Sequence, residues 1–481
     1  MEGALASRCW KLFWLAATSF LILPFTLQYT GEESAYTLQA YEQWYTGHVL
    51  RPTLLGWPYG RPPLFNWLIA AVTPLVGWAH VLGVARMLSA LATVASGLLV
   101  AAFTRRVTGD RHRAAFTALV FLTSWEMLFY YGWLAYSDAL FGALTLTAML
   151  AGWLALREAQ AAWLALALLC AAAGFMTKAL TSYVFLAGVL LVVGWRERNG
   201  WRLLRPTFLA CLPLLALPWL WYHITPSGAG MATGMVGDIV DKLGFQGPVP
   251  YLRHALTYPL NAAFNLMPAG GVLVWTLWRQ RPESAGGGAS VSIGVTAGYA
   301  VLLNLLPYWL APQSSTRYLT PLYGLAAVWI SEMLWLRRAA VPVALRWCTA
   351  AIVLKLVAAA WLFPLYTAKV RPDIRAIAQQ VDQIRRDRQV PLYVEDTAWV
   401  GLSIAATLDT LPGDDGRPRP PLGHVPGKDW TDGLVLVEHP EGFTGTVIAQ
   451  FPDVALLCRG SGCLPAKKTA MTSPVNPKKS P

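Results

Sequence analysis

The 481 residues are 55% hydrophobic and only 13% charged, with a mean hydropathy of +0.43, whereas soluble globular chains carry about 25% charged residues. This composition excludes an ordinary soluble domain and makes a bilayer the solvent. The net charge of +12 does not point to nucleic acid, because Lys and Arg fall in short clusters between apolar runs, as positive-inside topology requires.

About eleven apolar stretches approach the roughly 20 residues that a spanning helix needs. They cover 12–28, 80–104, 114–131, 133–156, 161–176, 180–195, 206–222, 255–278, 290–311, 319–336 and 347–366. The first follows Arg8 and Lys11 with no small-residue cleavage site behind it and reads as a retained signal anchor. With the N-terminus inside, the cytoplasmic loops hold Arg105, Arg106, Arg111 and Arg113, then Arg157, then Arg196, Arg198, Arg202 and Arg205. Arg279 and Arg281 follow, then Arg337, Arg338 and Arg346. The opposite loops hold fewer cations: Arg51, Arg61, Lys178, Lys242, Arg253 and Arg317. This asymmetry orients the chain, and an odd number of spans puts the C-terminal segment outside.

The expected transmembrane domain, 1–368, gives way near Lys369 to charged helical sequence at 374–388. Short β-type runs follow at 391–394, 433–437, 446–451 and 454–457, the pattern of a small α/β domain over 369–464. The Lys- and Pro-rich tail 465–481 reads as disordered, and the Gly-rich piece 285–290 as a loop. Cys458 and Cys463 are close enough in sequence for a local disulfide, or are two free thiols.

The first outside loop, Tyr29 to Pro63, is long, polar and aromatic, and long ordered loops usually carry function. Helical spacing from Glu33 sets Tyr36, Ala40, Tyr41, Trp44 and Tyr45 on one face, which predicts an amphipathic helix in the membrane interface. Glu32 and Glu33 stand at its start, where they either act chemically or simply answer the helix dipole. Pro62 and Pro63 then hold the chain extended and fix Arg61 at the membrane surface. A guanidinium there suits a phosphate, which it bonds bidentately, or it anchors lipid headgroups. Other ionisable residues in or at the outer ends of spans are Arg86, Glu126, Asp138, Lys178, His254 and Arg317. Such groups are costly in lipid unless paired or hydrated, and pairing for structure is the expectation for Arg86 and Glu126. Lys355, near mid-span, either snorkels or has a buried partner.

In this order the segments resemble the bacterial lipid-linked glycosyltransferases of the GT-C superfamily, the group of aminoarabinose transferase and the protein O-mannosyltransferases. The matching elements are Glu32-Glu33-Ser34-Ala35-Tyr36, Arg61-Pro62-Pro63-Leu64, Ser137-Asp138, Thr177-Lys178 and Arg317-Tyr318-Leu319-Thr320-Pro321. The resemblance implies a polytopic α-helical membrane protein of the bacterial inner membrane, with interfacial helices in the first periplasmic loop and a small periplasmic α/β domain. It further implies sugar transfer from a polyprenyl-phosphate donor to lipid A, a glycan or a protein. Glu32, with Glu33 as neighbour or substitute, is then the candidate for acceptor chemistry, and Asp138 for positioning. Arg61, Lys178 and Arg317, with Tyr318 beside it, are the candidates for the phosphate. Glu32 and Arg61 replace the family's usual Asp and Lys, which points to a different donor sugar. Gly60 stands where an acid often precedes that Lys, so no metal is expected, and no cofactor is implied. Two other readings compete. A secondary transporter also has many spans with buried charges, but usually two similar halves and midplane charges. A polysaccharide polymerase or ligase would use the late outside loop, where Asp238, Asp241, Lys242, Arg253 and His254 lie.

Overall fold

The computed structural model describes residues 2–59, 61–197, 207, 209, 211–224, 244, 247–279, 288–395, 399–411, 417–427 and 430–464. Gly60, Arg198, Arg202, Arg205, Arg281, most of the late outside loop with Asp238, Asp241 and Lys242, and the tail from Pro465 lie outside the described residues. The chain forms two compact units, Met1–Leu54 with Pro58–Arg371, and Leu55–Trp57 with Pro372–Pro481.

The first unit is helical. Its first half contains α1 (Glu2–Thr26), α2 (Glu33–Thr46), α3 (Leu64–Val76), α4 (Val81–Thr108), α5 (Arg111–Leu122), α6 (Ser137–Glu158), α7 (Ala161–Thr177) and α8 (Thr181–Glu197). Its second half contains α9 (Leu212–Ile224), α10 (Pro248–Asn265), α11 (Ala269–Arg279), α12 (Gly288–Leu310), α13 (Leu322–Trp335), α14 (Ala340–Val357) and α15 (Phe363–Val370). Local chemistry sets the boundaries. Gly109, at φ 72°, ends α4, and the Asp110 carboxylate then accepts from the amides of His112 (2.7 Å) and Arg113 (3.3 Å) to start α5. The helix α6 is buried along most of its length, with Met149 and Trp153 fully enclosed, so it is apolar all round rather than amphipathic. Close approach of α13 to α6 depends on a small residue, since a Cβ at Gly324 would lie 2.5 Å from Leu146.

By length and composition, four described helical runs suffice to cross a bilayer: Trp78–Thr108, Ser137–Glu158, Ile293–Leu310 and the run from Ala340. The stretch expected as one span over 255–278 is instead α10 and α11, bent by 106°, because Pro268 at the break cannot continue the hydrogen-bond ladder. The helix predicted after Glu32 forms as α2, but Glu33 through Gln43 are buried all round and only its last turn exposes Trp44 and Tyr45. Some of its polar side chains are answered internally, while Ser34 Oγ, Gln39 Nε2 and both polar atoms of the Gln43 side chain have no hydrogen-bond partner among the described residues. Asn66 donates to Gln39 Oε1 at 2.5 Å, and the Thr53 hydroxyl to Glu42 at 2.5 Å. The Gly-rich piece is helical from Gly288, where α12 begins.

In the second unit, α16 (Ile374–Arg388) is capped by Asp373, which accepts from the amides of Arg375 and Ala376. It buries Ile374, Ile377, Ala378 and Val381, the spacing of one helical face. The strands β1 (Leu392–Val394), β2 (Gly423–His424), β3 (Gly433–Val437), β4 (Thr446–Phe451) and β5 (Val454–Arg459) form one sheet in the order β2-β1-β3-β5-β4. The first two pairings are parallel and the last two antiparallel. Four strands match the predicted runs; the two-residue β2 and the helix α17 (Trp399–Thr410) are additional. Arg419 donates to both Asp382 oxygens, at 2.5 and 3.1 Å, and Arg386 to one. Burial raises the Asp382 pKa, but the two guanidiniums outweigh it and hold the carboxyl below its usual range. Cys458 and Cys463 form a disulfide, which resolves the choice the sequence left open.

Candidate active site

Five ionisable side chains from five separate segments form one connected cluster in the first unit. Arg317, in the 3-10 turn Thr316–Leu319, grips Glu32 bidentately, with both N–O distances 3.0 Å, the geometry in which a guanidinium holds a carboxylate best. Arg61 Nη1 lies 3.9 Å from Glu32 Oε2 and donates to the Tyr36 hydroxyl at 3.4 Å. Lys178, in the turn after α7, pairs with Asp138 Oδ1 in the first turn of α6, and Arg317 Nε lies 3.8 Å from the same oxygen. Asp138 Oδ2 is buried and has no hydrogen-bond partner among the described residues. The rings of Tyr318, 5.2 Å from Lys178 Nζ, and Tyr136, 5.7 Å from the Arg317 guanidinium, complete the walls.

Exposure is graded across the cluster. Asp138 and Lys178 are 1% and 9% exposed, Arg317 14%, Glu32 24% and Arg61 42%. The cluster therefore has a closed floor and an open rim, with Glu32 and Arg61 on the rim. Three cations face two carboxylates, an excess of one positive charge. Burial lowers the Lys178 pKa to about 8, Arg317 adds to this, and Asp138 opposes it. Burial likewise pushes the Tyr36 phenol up to about 12. The phenol is thus protonated at neutral pH, and it accepts from both Arg61 and the Ser137 hydroxyl (3.1 Å).

Glu33 sits apart from this chemistry. It is fully buried and accepts from Arg86 Nε (2.8 Å) and Nη2 (2.6 Å), the Ala135 amide (2.8 Å) and the Thr30 amide (2.8 Å). Arg86, equally buried, also donates to the carbonyls of Leu27 (2.7 Å) and Gln28 (2.8 Å). The pair thus ties the end of α1, the start of α2, α4 and the loop before α6 into one clamp. Arg86 is paired for structure, as expected, and its partner is Glu33; Glu126 bonds Asn265. A substitute role of Glu33 for Glu32 has no geometric support, since every route to its oxygens is filled by a donor. Beside the clamp, the Tyr136 hydroxyl accepts from the Glu32 amide (3.0 Å) and donates to the Thr30 carbonyl (3.2 Å). Only glycine fits at position 31 there: its φ is +58°, and a Cβ would lie 2.2 Å from the Tyr136 oxygen.

Of the residues singled out from sequence, Glu32, Arg61, Asp138, Lys178, Arg317 and Tyr318 come together. His254 instead packs on the Tyr258 ring at 4.9 Å. Lys355 does not snorkel; it is fully buried with Nζ 4.5 Å from the Trp133 ring centre. Tyr36, Tyr136 and Ser137 carried no predicted role. Their signal was adjacency, phenol or hydroxyl one to four residues from a candidate acid.

Residues 60–222 match the family model described as dolichyl-phosphate-mannose-protein mannosyltransferase. That match includes Arg61, Asp138 and Lys178 and leaves Glu32 and Arg317 outside it. The crystal structure of ArnT from Cupriavidus metallidurans bound to undecaprenyl phosphate is similar with a TM-score of 0.67 at 16% identity, over 93% of this chain and 97% of that one. The chain has the fold of ArnT. The apo state of the same ArnT gives a TM-score of 0.64 at 16% identity, over 92% and 96% of the two chains. No curated protein matches the sequence. The ArnT fold thus extends over the helical unit and the small sheet domain alike. Among the described residues no three His, Cys, Asp or Glu side chains are placed to hold a metal ion. The cluster's two carboxylates are already paired with cations, so the donor set does not fit a divalent ion.

Proposed function

We propose that this protein is a membrane glycosyltransferase that moves a sugar from a polyprenyl-phosphate donor to an acceptor at the outer face of the bacterial inner membrane. The observation that carries the proposal is the convergence of Arg61, Lys178 and Arg317 on Glu32 and Asp138. Lipid phosphate is common to both comparisons, undecaprenyl phosphate in the ArnT crystal and dolichyl phosphate in the family description. The Cys458–Cys463 disulfide supports an oxidising, non-cytoplasmic compartment for the second unit.

In this reading the carboxylates keep the cations in place until a phosphate arrives. Its oxygens then replace Glu32 on Arg317 and join Asp138 on Lys178, so the lipid phosphate is bound by groups already oriented for it. The released Glu32, at the open rim, accepts the proton of an acceptor hydroxyl. The acceptor oxygen attacks the anomeric carbon, the bond from that carbon to the phosphate oxygen breaks, and the electron pair leaves with the polyprenyl phosphate. Configuration inverts. Arg61, Lys178 and Arg317 hold the charge that develops on the departing oxygen. Where the acceptor is already anionic, as the phosphate of lipid A is, Glu32 positions rather than deprotonates. Lipid A, a glycan and a protein are the acceptors to be compared. The position of the cluster, at the first turn of α6 and the turn after α7, fits interfacial chemistry better than the midplane site of a carrier.

The test is sugar transfer in proteoliposomes from radiolabelled polyprenyl-phosphate sugar. Glu32→Ala, Arg61→Ala and Asp138→Ala should each lower the rate by about 10²-fold or more, the usual loss on removing one transition-state partner. Full activity in all three variants refutes the site.

A further inference from the structure

At the other end of the helical unit lies a cavity of about 820 Å³ lined by both cationic and apolar side chains. Along α4, Arg86 in the clamp and Thr108 on the cavity wall are separated by about 33 Å at 1.5 Å per residue, close to the roughly 30 Å of a bilayer's hydrocarbon core. The cavity therefore sits at the opposite headgroup layer from the cluster.

Four arginines line it: Arg8 from α1, Arg111 from α5, Arg338 from the turn between α13 and α14, and Arg346 from α14. None has an ion-pair partner among the described residues. The one carboxylate on the wall, Asp110, is already engaged by the α5 amides and by Arg113 Nε at 3.3 Å. His112 Nδ1, also lining the cavity, is buried without a hydrogen-bond partner among the described residues. Charges that only set topology have no need to share one hollow, where like charges repel. The remaining wall is apolar, with Leu5, Trp335, Val341 and Leu345. A basic rim over an apolar wall, at headgroup depth, is complementary to an amphiphile with an anionic head.

We propose that this cavity binds the phosphate headgroup of an anionic membrane lipid, with the guanidiniums on the phosphate and the acyl chains along the apolar wall. The site is independent of the catalytic cluster and of the reaction assigned to it.

The experiment is native mass spectrometry of the full chain released from detergent, with phosphatidylglycerol, cardiolipin, zwitterionic phosphatidylethanolamine or inorganic phosphate added separately. The wild type should retain the two anionic lipids and not phosphatidylethanolamine. Arg111→Gln/Arg346→Gln should weaken retention by roughly 30-fold, at about fivefold per cation near a charged surface, while Arg111→Lys/Arg346→Lys should keep most of it. The proposal is overturned by equal retention of anionic and zwitterionic lipid on the wild type, a result that does not depend on how the variants fold. It is overturned equally if the Gln variant retains lipid as the wild type does. Competition by millimolar inorganic phosphate that removes the lipid completely would make the site a free-anion site and overturn the lipid assignment.

Discussion

Glu32 and Glu33 are neighbours in sequence, yet the structure gives them opposite surroundings, and that contrast is the sharpest test of the proposed site. Glu33→Gln keeps the shape of the side chain but leaves the Arg86 guanidinium with no counter-ion in a position where both partners are fully buried. Removing one member of a buried, hydrogen-bonded pair costs about 3–5 kcal/mol, because the charge left behind is neither hydrated nor compensated. Two charge-assisted hydrogen bonds from Arg86 and two from backbone amides converge on Glu33, so the cost should fall in the upper part of that range. Glu32→Gln, by contrast, acts where the carboxylate is 24% exposed and Arg317 is 14% exposed. Water reaches that pair, and its loss should cost about 1 kcal/mol or less. The assay is thermal unfolding of the detergent-solubilised chain alongside sugar transfer. Glu33→Gln should lower the melting temperature by several degrees and lose activity in proportion to folded protein. Glu32→Gln should melt near the wild type and lose turnover. Replacing both clamp partners together, as Glu33→Leu/Arg86→Met, should recover part of the stability lost by either single change, since no uncompensated charge remains. A Glu33→Gln protein that melts like the wild type yet is inactive would refute the division of roles.

Three further outcomes follow from the same geometry. Lys178 is charged below a pKa of about 8, so if its ammonium binds phosphate, kcat/KM should fall as pH rises through about 8. Lys178→Arg, charged throughout, should move that alkaline limb up by more than one unit, and a limb unchanged by the substitution removes Lys178 from phosphate binding. Gly31→Ala should destabilise the loop by about 1–2 kcal/mol from its left-handed backbone alone, and more from the contact with the Tyr136 oxygen. Adding Tyr136→Phe should relieve only the second part, as melting curves of the single and double variants will read. In the second unit, Asp382→Asn should lower stability by a few kcal/mol, because Arg419 and Asp382 are both nearly buried. The depressed Asp382 pKa gives the same contribution a pH dependence: it is present above the ordinary carboxylate pKa and is lost as pH falls through the lower, folded-state value. Denaturation followed at neutral and acid pH should show the difference between wild type and Asp382→Asn shrink on acidification.

Local signals carried much of this molecule. Composition made it a membrane protein, and charge asymmetry between apolar runs supplied an orientation. Period-two runs after residue 390 located four of the five strands of the second unit, because strand pattern and turn chemistry are written within a few residues. The motif residues Glu32, Arg61, Asp138, Lys178 and Arg317 could be named as candidates because each is an ionisable group next to apolar sequence, where it needs a reason. What the sequence could not decide was partnership. Arg86 lies 53 positions from Glu33 and Arg317 lies 285 positions from Glu32; nothing in local spacing distinguishes the acid that meets the buried guanidinium from the one that meets the accessible one. Nor does a count of apolar residues reveal that 255–278 bends by 106° or that α2 is enclosed on every side from Glu33 to Gln43. Those outcomes depend on which helices pack against one another, and in a bundle that choice is made by shape and by the satisfaction of buried polar groups over the whole unit. The sequence by itself determined which side chains were expensive enough to matter; the tertiary structure decided which of them are locked in the fold, as Glu33 and Arg86 are, and which stay accessible, as Glu32 and Arg61 do.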